Sequence, residues 1–236
     1  MLVFLIHVRD PQFYALPAKT RAKNGRIRVM GFPPIGIMSL SSVLKQAGHD
    51  CVMFDQANPD TPNEVIIEEI NRRQPALVGL SFLSTTSYPY AKMLARQIRA
   101  ANSKVKLAFG GVFASLNAAL VKLQCSEVDF VCKGDGEQFL LDLLERLDDP
   151  ADVAGLIWAK DGRVVQNSGR PMERHLDQWP FPDRESLPLD FIESMPLDVP
   201  AVLSMERFTT VQSSRGCPWP CVFCDIPIFN EGKWRA

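Results

Sequence analysis

The stretch Leu77-Val78-Gly79-Leu80-Ser81-Phe82-Leu83-Ser84-Thr85-Thr86 decides the fold. Its first seven residues are apolar but for one serine, too short for a stable helix, and read as a strand buried on both faces. Small hydroxyl residues follow at once, and an amphipathic helical pattern runs from Tyr90 to Ala101. Strand, short polar loop, helix is the unit of a parallel sheet.

The same unit recurs on either side. Upstream, Leu2-Val3-Phe4-Leu5-Ile6-His7-Val8 reads as a first strand, Ile35 to Gln46 as a helix closed by Gly48, Asp50 to Asp55 as a second strand, and Asn63 to Arg73 as a helix between Pro62 and Pro75. Downstream, strands are expected at Val105–Phe109 and Val128–Cys132, with helices at Leu116–Leu123 and Glu137–Leu147. Five such repeats predict an α/β, doubly wound, Rossmann-like parallel sheet over residues 1–147.

Such sheets bind ligands at the carboxyl ends of their strands. The loops there are Arg9 to Pro34, Gln56 to Pro62, Ser81 to Thr86, Gly110-Gly111-Val112, and Lys133-Gly134-Asp135-Gly136-Glu137. Gly110-Gly111 lets a large flat ligand approach backbone directly, and Ser81, Ser84, Thr85 and Thr86 offer hydroxyls. Taken singly, each feature is also what a tight turn or a helix N-cap requires. No G-x-G-x-x-G follows the first strand and no phosphate-loop motif occurs, so dinucleotides and ATP are disfavoured.

Composition narrows the class. The 236 residues are 46% hydrophobic and 22% charged, with a net charge of −1. That excludes intrinsic disorder and gives no general attraction to nucleic acid or anionic lipid. No apolar run approaches the ~20 residues of a membrane helix, and Met1 leads into a strand pattern without a basic leader. A cytoplasmic chain is expected.

From residue 148 the pattern changes. A β-hairpin is read around Lys160-Asp161-Gly162, and then prolines become dense from Pro171 to Pro200. Residues 148–205 are therefore a hairpin and proline-rich connector, with Trp179 and Phe181 as the candidate packing centre of Asp177–Pro188. Phe208 to Ser214 alternates as a strand and runs into Arg215-Gly216-Cys217-Pro218-Trp219-Pro220-Cys221-Val222-Phe223-Cys224. Cys51, Cys125 and Cys132 stand singly in apolar surroundings, whereas Cys217, Cys221 and Cys224 fall within eight residues. Three thiolates on one loop can hold three irons of a cubane and leave the fourth open. Zinc, the competing occupant, ordinarily takes four ligands, and no fourth Cys or His follows Cys224.

The Cys-x3-Cys-x2-Cys loop, with Arg215-Gly216 before it, resembles the signature of radical SAM proteins. Ser81-x-Leu83 followed after 26 residues by Gly110-Gly111 is similar to two elements of the cobalamin-binding Rossmann-like domain. Pro34-x-Gly36 and the Lys-Gly-Asp-Gly-Glu loop resemble the cobalamin domains fused to radical SAM enzymes, and Asp177–Pro188 resembles their interdomain strap. The family's Asp-x-His-x-x-Gly element is missing. Of the three histidines, His7, His49 and His175, none sits in such a pattern.

The resemblance implies a cobalamin-dependent radical SAM protein. Its cobalamin contacts would be Ser81, Leu83, Ser84, Thr85, Gly110, Gly111 and Gly134, with no histidine below cobalt. Its 4Fe-4S cluster would sit on Cys217, Cys221 and Cys224, with Phe223 near the adenine of S-adenosyl-L-methionine. The family partners would be a small-molecule substrate and an electron donor such as flavodoxin or ferredoxin, without nucleic acid or membrane. Residues 206–236 would begin the radical SAM (β/α) barrel, which needs roughly 150 to 200 further residues. The chain thus reads as an N-terminal portion, a fragment inactive alone; a non-catalytic cobalamin-binding module and a zinc-binding interaction protein are the competing readings.

Overall fold

In β1 (Leu2–His7), Val3 and Leu5 face one side and Phe4 and Ile6 the other, the two-residue period of an extended chain. All four are buried, which places the strand inside a sheet covered on both faces. The computed structural model describes residues 1–9, 33–58, 60–187 and 210–236. The expected first strand-end loop, Arg9 to Pro34, lies mostly outside them, as do Pro188 to Pro200 of the connector and the start of the expected strand at Phe208.

Four elements coincide with the sequence reading: α1 (Ile35–Gln46), β2 (Asp50–Asp55), α2 (Asn63–Arg73) and the start of β3 (Leu77–Ser81). Helix α1 stops at Gly48, φ +81, where Gly48 N–H bonds Lys45 O (3.0 Å) and His49 N–H bonds Leu44 O (2.9 Å), a Schellman closure. There follow α3 (Tyr88–Ala101), β4 (Lys106–Gly110), α4 (Val112–Leu116), α5 (Ala118–Gln124), β5 (Phe130–Cys132) and α6 (Glu137–Glu145).

Two differences have visible causes. The single helix expected at Leu116–Leu123 is two helices, broken where the Asn117 side chain donates to Phe113 O at 3.0 Å. Strand β5 begins two residues late because the Asp129 carboxylate, instead of a backbone carbonyl, takes the Leu107 N–H at 2.8 Å while pairing with Arg99 at 2.7 Å.

The sheet order is β2-β1-β3-β4-β5-β6-β7, with the first five strands parallel. The hairpin of β6 (Leu156–Lys160) and β7 (Arg163–Gln166) pairs antiparallel onto β5 and extends the sheet. Its turn has positive φ at both Asp161 and Gly162, as a two-residue type I′ connection demands. Helices α1 and α6 cover one face; α2, α3, α4 and α5 cover the other. Among the described residues no helix is long and apolar enough to cross a membrane.

Of the connector's two expected packing aromatics, Trp179 is half-buried, but Phe181 is 93% exposed and makes no packing centre. Polar anchors and buried Leu187 hold the connector to α1 instead. Asp183 N–H donates to Met38 O (3.0 Å), and the Asp183 carboxylate accepts from Ser41 Oγ and pairs with Lys45, both at 2.7 Å. Burial opposes the charge on Asp183, but hydrogen bonds from Lys45, Ser41 and Ser186 outweigh it and hold the pKa at about 2. A lowered folded pKa stabilises above the unfolded value of about 3.9 and is lost as pH falls toward 2. Asp183→Asn is expected to cost on the order of 1–2 kcal/mol at neutral pH. Thermal melts should show the gap between wild type and variant shrinking below about pH 4; a constant gap would mean that the charge contributes nothing.

The expected strand ending at Ser214 is absent from its described residues, 210–214. Pairing starts one residue later, where β8 (Arg215–Gly216) meets β9 (Trp234–Arg235), with α7 (Asp225–Phe229) between them.

Candidate functional site

The strand register brings the carboxyl ends into line. His7 lies opposite both Asp55 and Ser81, and Ser81 lies opposite Gly110. One row further in, Leu5, Gly79 and Ala108 sit side by side on β1, β3 and β4, facing α1 and α6. A glycine and an alanine in the middle of that row leave room that leucines would fill. The result is a cavity of about 500 Å³ between sheet and helices, within the usual range of small-ligand sites. It lies at the carboxyl ends of β1, β3 and β4, beside the point between β1 and β3 where the strand order reverses.

Five of the seven expected cobalamin contacts line this cavity: Ser81, Leu83, Gly110, Gly111 and Gly134. Leu83 is 59% exposed at its mouth. Ser84 and Thr85 are not in the lining; Ser84 Oγ bonds Thr86 Oγ1 (2.8 Å) and Ser87 Oγ (2.9 Å), ordering the turn that starts α3. No histidine lines the cavity either. His7 is engaged through Nδ1 by the buried Asp55 carboxylate at 2.8 Å, the satisfied histidine its place in a strand suggested.

The glycines divide by role. A Cβ built on Gly36, Gly110 or Gly134 meets nothing within 4 Å, so the space over these three backbones is free for a ligand. Gly111 is different: with φ +94 it lies so close to the Phe82 backbone that a Cβ would come 2.2 Å from Phe82 O. Gly134, φ +103, is held by its N–H to Ser115 Oγ at 3.1 Å, and Ser115 Oγ in turn donates to Cys132 O at 3.2 Å.

The outer wall comes from the far end of the chain: Gln212, Ser214, Arg215, Gly216, Ile226 and Phe229. Sequence reasoning did not anticipate this, nor the charges that fix it. Arg215 reaches Glu137 at 2.5 Å, and Arg235 reaches Asp135 at 2.5 Å. Burial works against the charge of Arg215, but the hydrogen bond and charge of Glu137 and the charge of Asp135 prevail and raise its pKa. The loop holding Asp135 and Glu137 was visible as a motif; its partners, 100 and 78 residues away, were not.

Cys217 and Cys224 are half-buried and Cys221 is exposed, all three as free thiols on the loop between β8 and α7. Phe223 is 88% exposed on the same loop. Among the described residues no three His, Cys, Asp or Glu side chains are already gathered as a metal site. The other three cysteines are buried, and burial first of all raises their pKa, to about 11 for Cys51 and Cys125 and further for Cys132.

Comparison with known proteins agrees with this geometry. The B12 binding domain family matches residues 29–144. An uncharacterized methyltransferase of Pyrococcus horikoshii is 30% identical over 215 residues, 89% of this chain and 44% of its own. The anaerobic magnesium-protoporphyrin IX monomethyl ester cyclase of Synechocystis sp. is 26% identical, over 91% of this chain and 42% of its own. The chain therefore spans under half the length of these curated relatives. Among solved structures, the radical S-adenosylmethionine methyltransferase TsrM of Kitasatospora setae, with cobalamin and a [4Fe-4S] cluster bound, superposes with a TM-score of 0.70. It is 17% identical and covers 96% of this chain and 42% of its own, a likeness of fold. Sheet topology, glycine-lined cavity and family match converge: residues 29–144 match a B12 binding domain, and the fold is similar to that of a cobalamin-bound radical S-adenosylmethionine methyltransferase.

Proposed function

We propose that the cavity takes the nucleotide tail of cobalamin and that Cys217, Cys221 and Cys224 ligate a 4Fe-4S cluster serving S-adenosylmethionine. The observation that carries this reading is the cavity itself, glycine-floored at the strand ends and walled by the segment that bears the three cysteines. Gly36, Gly110 and Gly134 would admit a flat heteroaromatic group against bare backbone. Leu5, Ile37, Leu40 and Leu140 would exclude water from it, and Ser81 would bond a polar edge. Three clustered thiolates suit a cubane with one open iron, and Phe223, exposed on the same loop, could stack on an adenine. When bound, these groups supply reductive cleavage of S-adenosylmethionine and methyl transfer to a small-molecule substrate, with flavodoxin or ferredoxin as the electron source.

A second reading, a cobalamin-binding module without catalysis, rests on the family match, which covers residues 29–144 and does not reach the three cysteines. Both readings share the cavity, so cobalamin retention is the first test. Wild-type protein mixed with hydroxocobalamin and desalted should keep the corrin absorbance. Gly110→Leu should weaken retention at least tenfold with an unchanged thermal midpoint, because its side chain enters open cavity. Equal retention by both proteins would remove the cofactor from this cavity.

A further inference from the structure

We propose that Asp135 and Glu137 are positioning residues: through Arg215 and Arg235 they hold the cysteine-bearing segment as the outer wall of the cavity. Arg215 and Arg235 stand directly opposite each other on β8 and β9. Two like charges so placed repel, and a ladder of two residues offers little backbone pairing to offset that. The carboxylates reverse the sign of that contact. Asp135 lies against both guanidiniums, 2.5 Å from Arg235 and 3.7 Å from Arg215, and Glu137 takes Arg215 at 2.5 Å. Arg235 is further fixed by Glu173 O at 2.9 Å and Asn230 Oδ1 at 2.8 Å.

The network is sheltered. Side-chain exposure is 3% for Arg235, 5% for Glu137 and 19% for both Asp135 and Arg215, so salt screens it far less than a surface pair. The loop it holds is clamped at its base as well. Gly216, φ +91, packs so closely on Lys233 that a Cβ would lie 2.1 Å from Lys233 O. Cys217, Cys221 and Cys224 all lie between Gly216 and β9, so whatever fixes the two arginines fixes the thiols relative to the strand ends. The carboxylates come from the same loop as Gly134, a floor residue of the cavity. One five-residue loop, Lys133–Glu137, thereby sets both the floor and the distance to the opposite wall. The positioning itself needs no cofactor; only its consequence for cobalamin rests on the reading above.

Hydrogen–deuterium exchange on the cofactor-free chain tests the positioning. Arg215→Leu and Glu137→Leu should each speed exchange across residues 212–235 at least tenfold, since each breaks the 2.5 Å pair that anchors this segment to α6. Exchange in β3 and β4 should stay as in wild type. Arg215→Lys, which keeps a charge beside both carboxylates, should restore most of the protection. The double variant Arg215→Leu/Glu137→Leu should exchange no faster than the worse single variant, because the two residues act as one unit. Wild-type exchange in both single variants, or acceleration spread through β3 and β4, would overturn the proposal. Hydroxocobalamin titration then separates it from the functional reading. Weaker binding by the single variants, by tenfold or more, supports both. Failure of the wild-type chain to bind would sink the cobalamin reading while the exchange data still decide the positioning.

Discussion

Gly111→Leu is expected to unfold the domain, or to lower its stability by more than about 4 kcal/mol. At φ +94 and ψ 174 the residue occupies backbone space that only glycine enters readily. A Cβ there would also lie 2.2 Å from the Phe82 carbonyl oxygen and 2.9 Å from its nitrogen, and both are backbone atoms that no rotamer change can move. The damage would spread, because Phe82 is fully buried at the centre of an aromatic group. Its ring meets Phe109 edge-on at 5.1 Å and lies 6.0 Å from Phe113 and 5.8 Å from Tyr88. Even Gly111→Ala should be severe. Chemical denaturation followed by far-ultraviolet circular dichroism measures the loss, and a Gly111→Leu variant within 1 kcal/mol of wild type would show that this backbone is not so confined. Two adjacent glycines thus have opposite tasks. Gly110 leaves space for a ligand, and Gly111 lets two strand-end loops touch.

That division was hidden in the sequence, where Gly110-Gly111 reads as one motif. What was legible was local. The hydrophobic period of two in β1, the closing glycine of α1 and the prolines on either side of α2 act within a few residues, so those boundaries could be read directly. What was not legible depended on partners far along the chain. The β6–β7 hairpin was recognisable from its Asp-Gly turn, but nothing in its own residues says that Leu156 pairs with Cys132. Likewise the cavity needs Leu5, Gly79 and Ala108 in one row, and that row exists only once three strands are in register. Charge was the least legible. Asp135 and Glu137 look like ordinary loop carboxylates until Arg215 and Arg235 arrive from the other end of the molecule. Phe181, by contrast, invited a packing role by composition alone, and the connector's polar anchors on α1 made that role unnecessary.

The three clustered cysteines and the three scattered ones should behave as two chemically distinct sets. A metal is bound by thiolate, so its ligands must be thiols that it can reach and gather. Cys51, Cys125 and Cys132 are buried singly in separate parts of the fold, and burial raises their pKa, which disfavours the thiolate. Cys217, Cys221 and Cys224 sit half-buried or exposed on one loop with no disulfide between them. Anaerobic reconstitution with iron and sulfide is therefore expected to load ~4 iron atoms per chain, with the charge-transfer absorption of a cubane. Cys217→Ala, Cys221→Ala and Cys224→Ala should each lose most of that iron, because two thiolates hold a cubane poorly. Cys125→Ala, altered at a buried thiol far along the sequence from this loop, should load like wild type. The pattern matters more than the total. Equal iron loss in Cys125→Ala would mean adventitious binding, and a single tightly held zinc retained through purification would replace the cluster reading with a structural metal site.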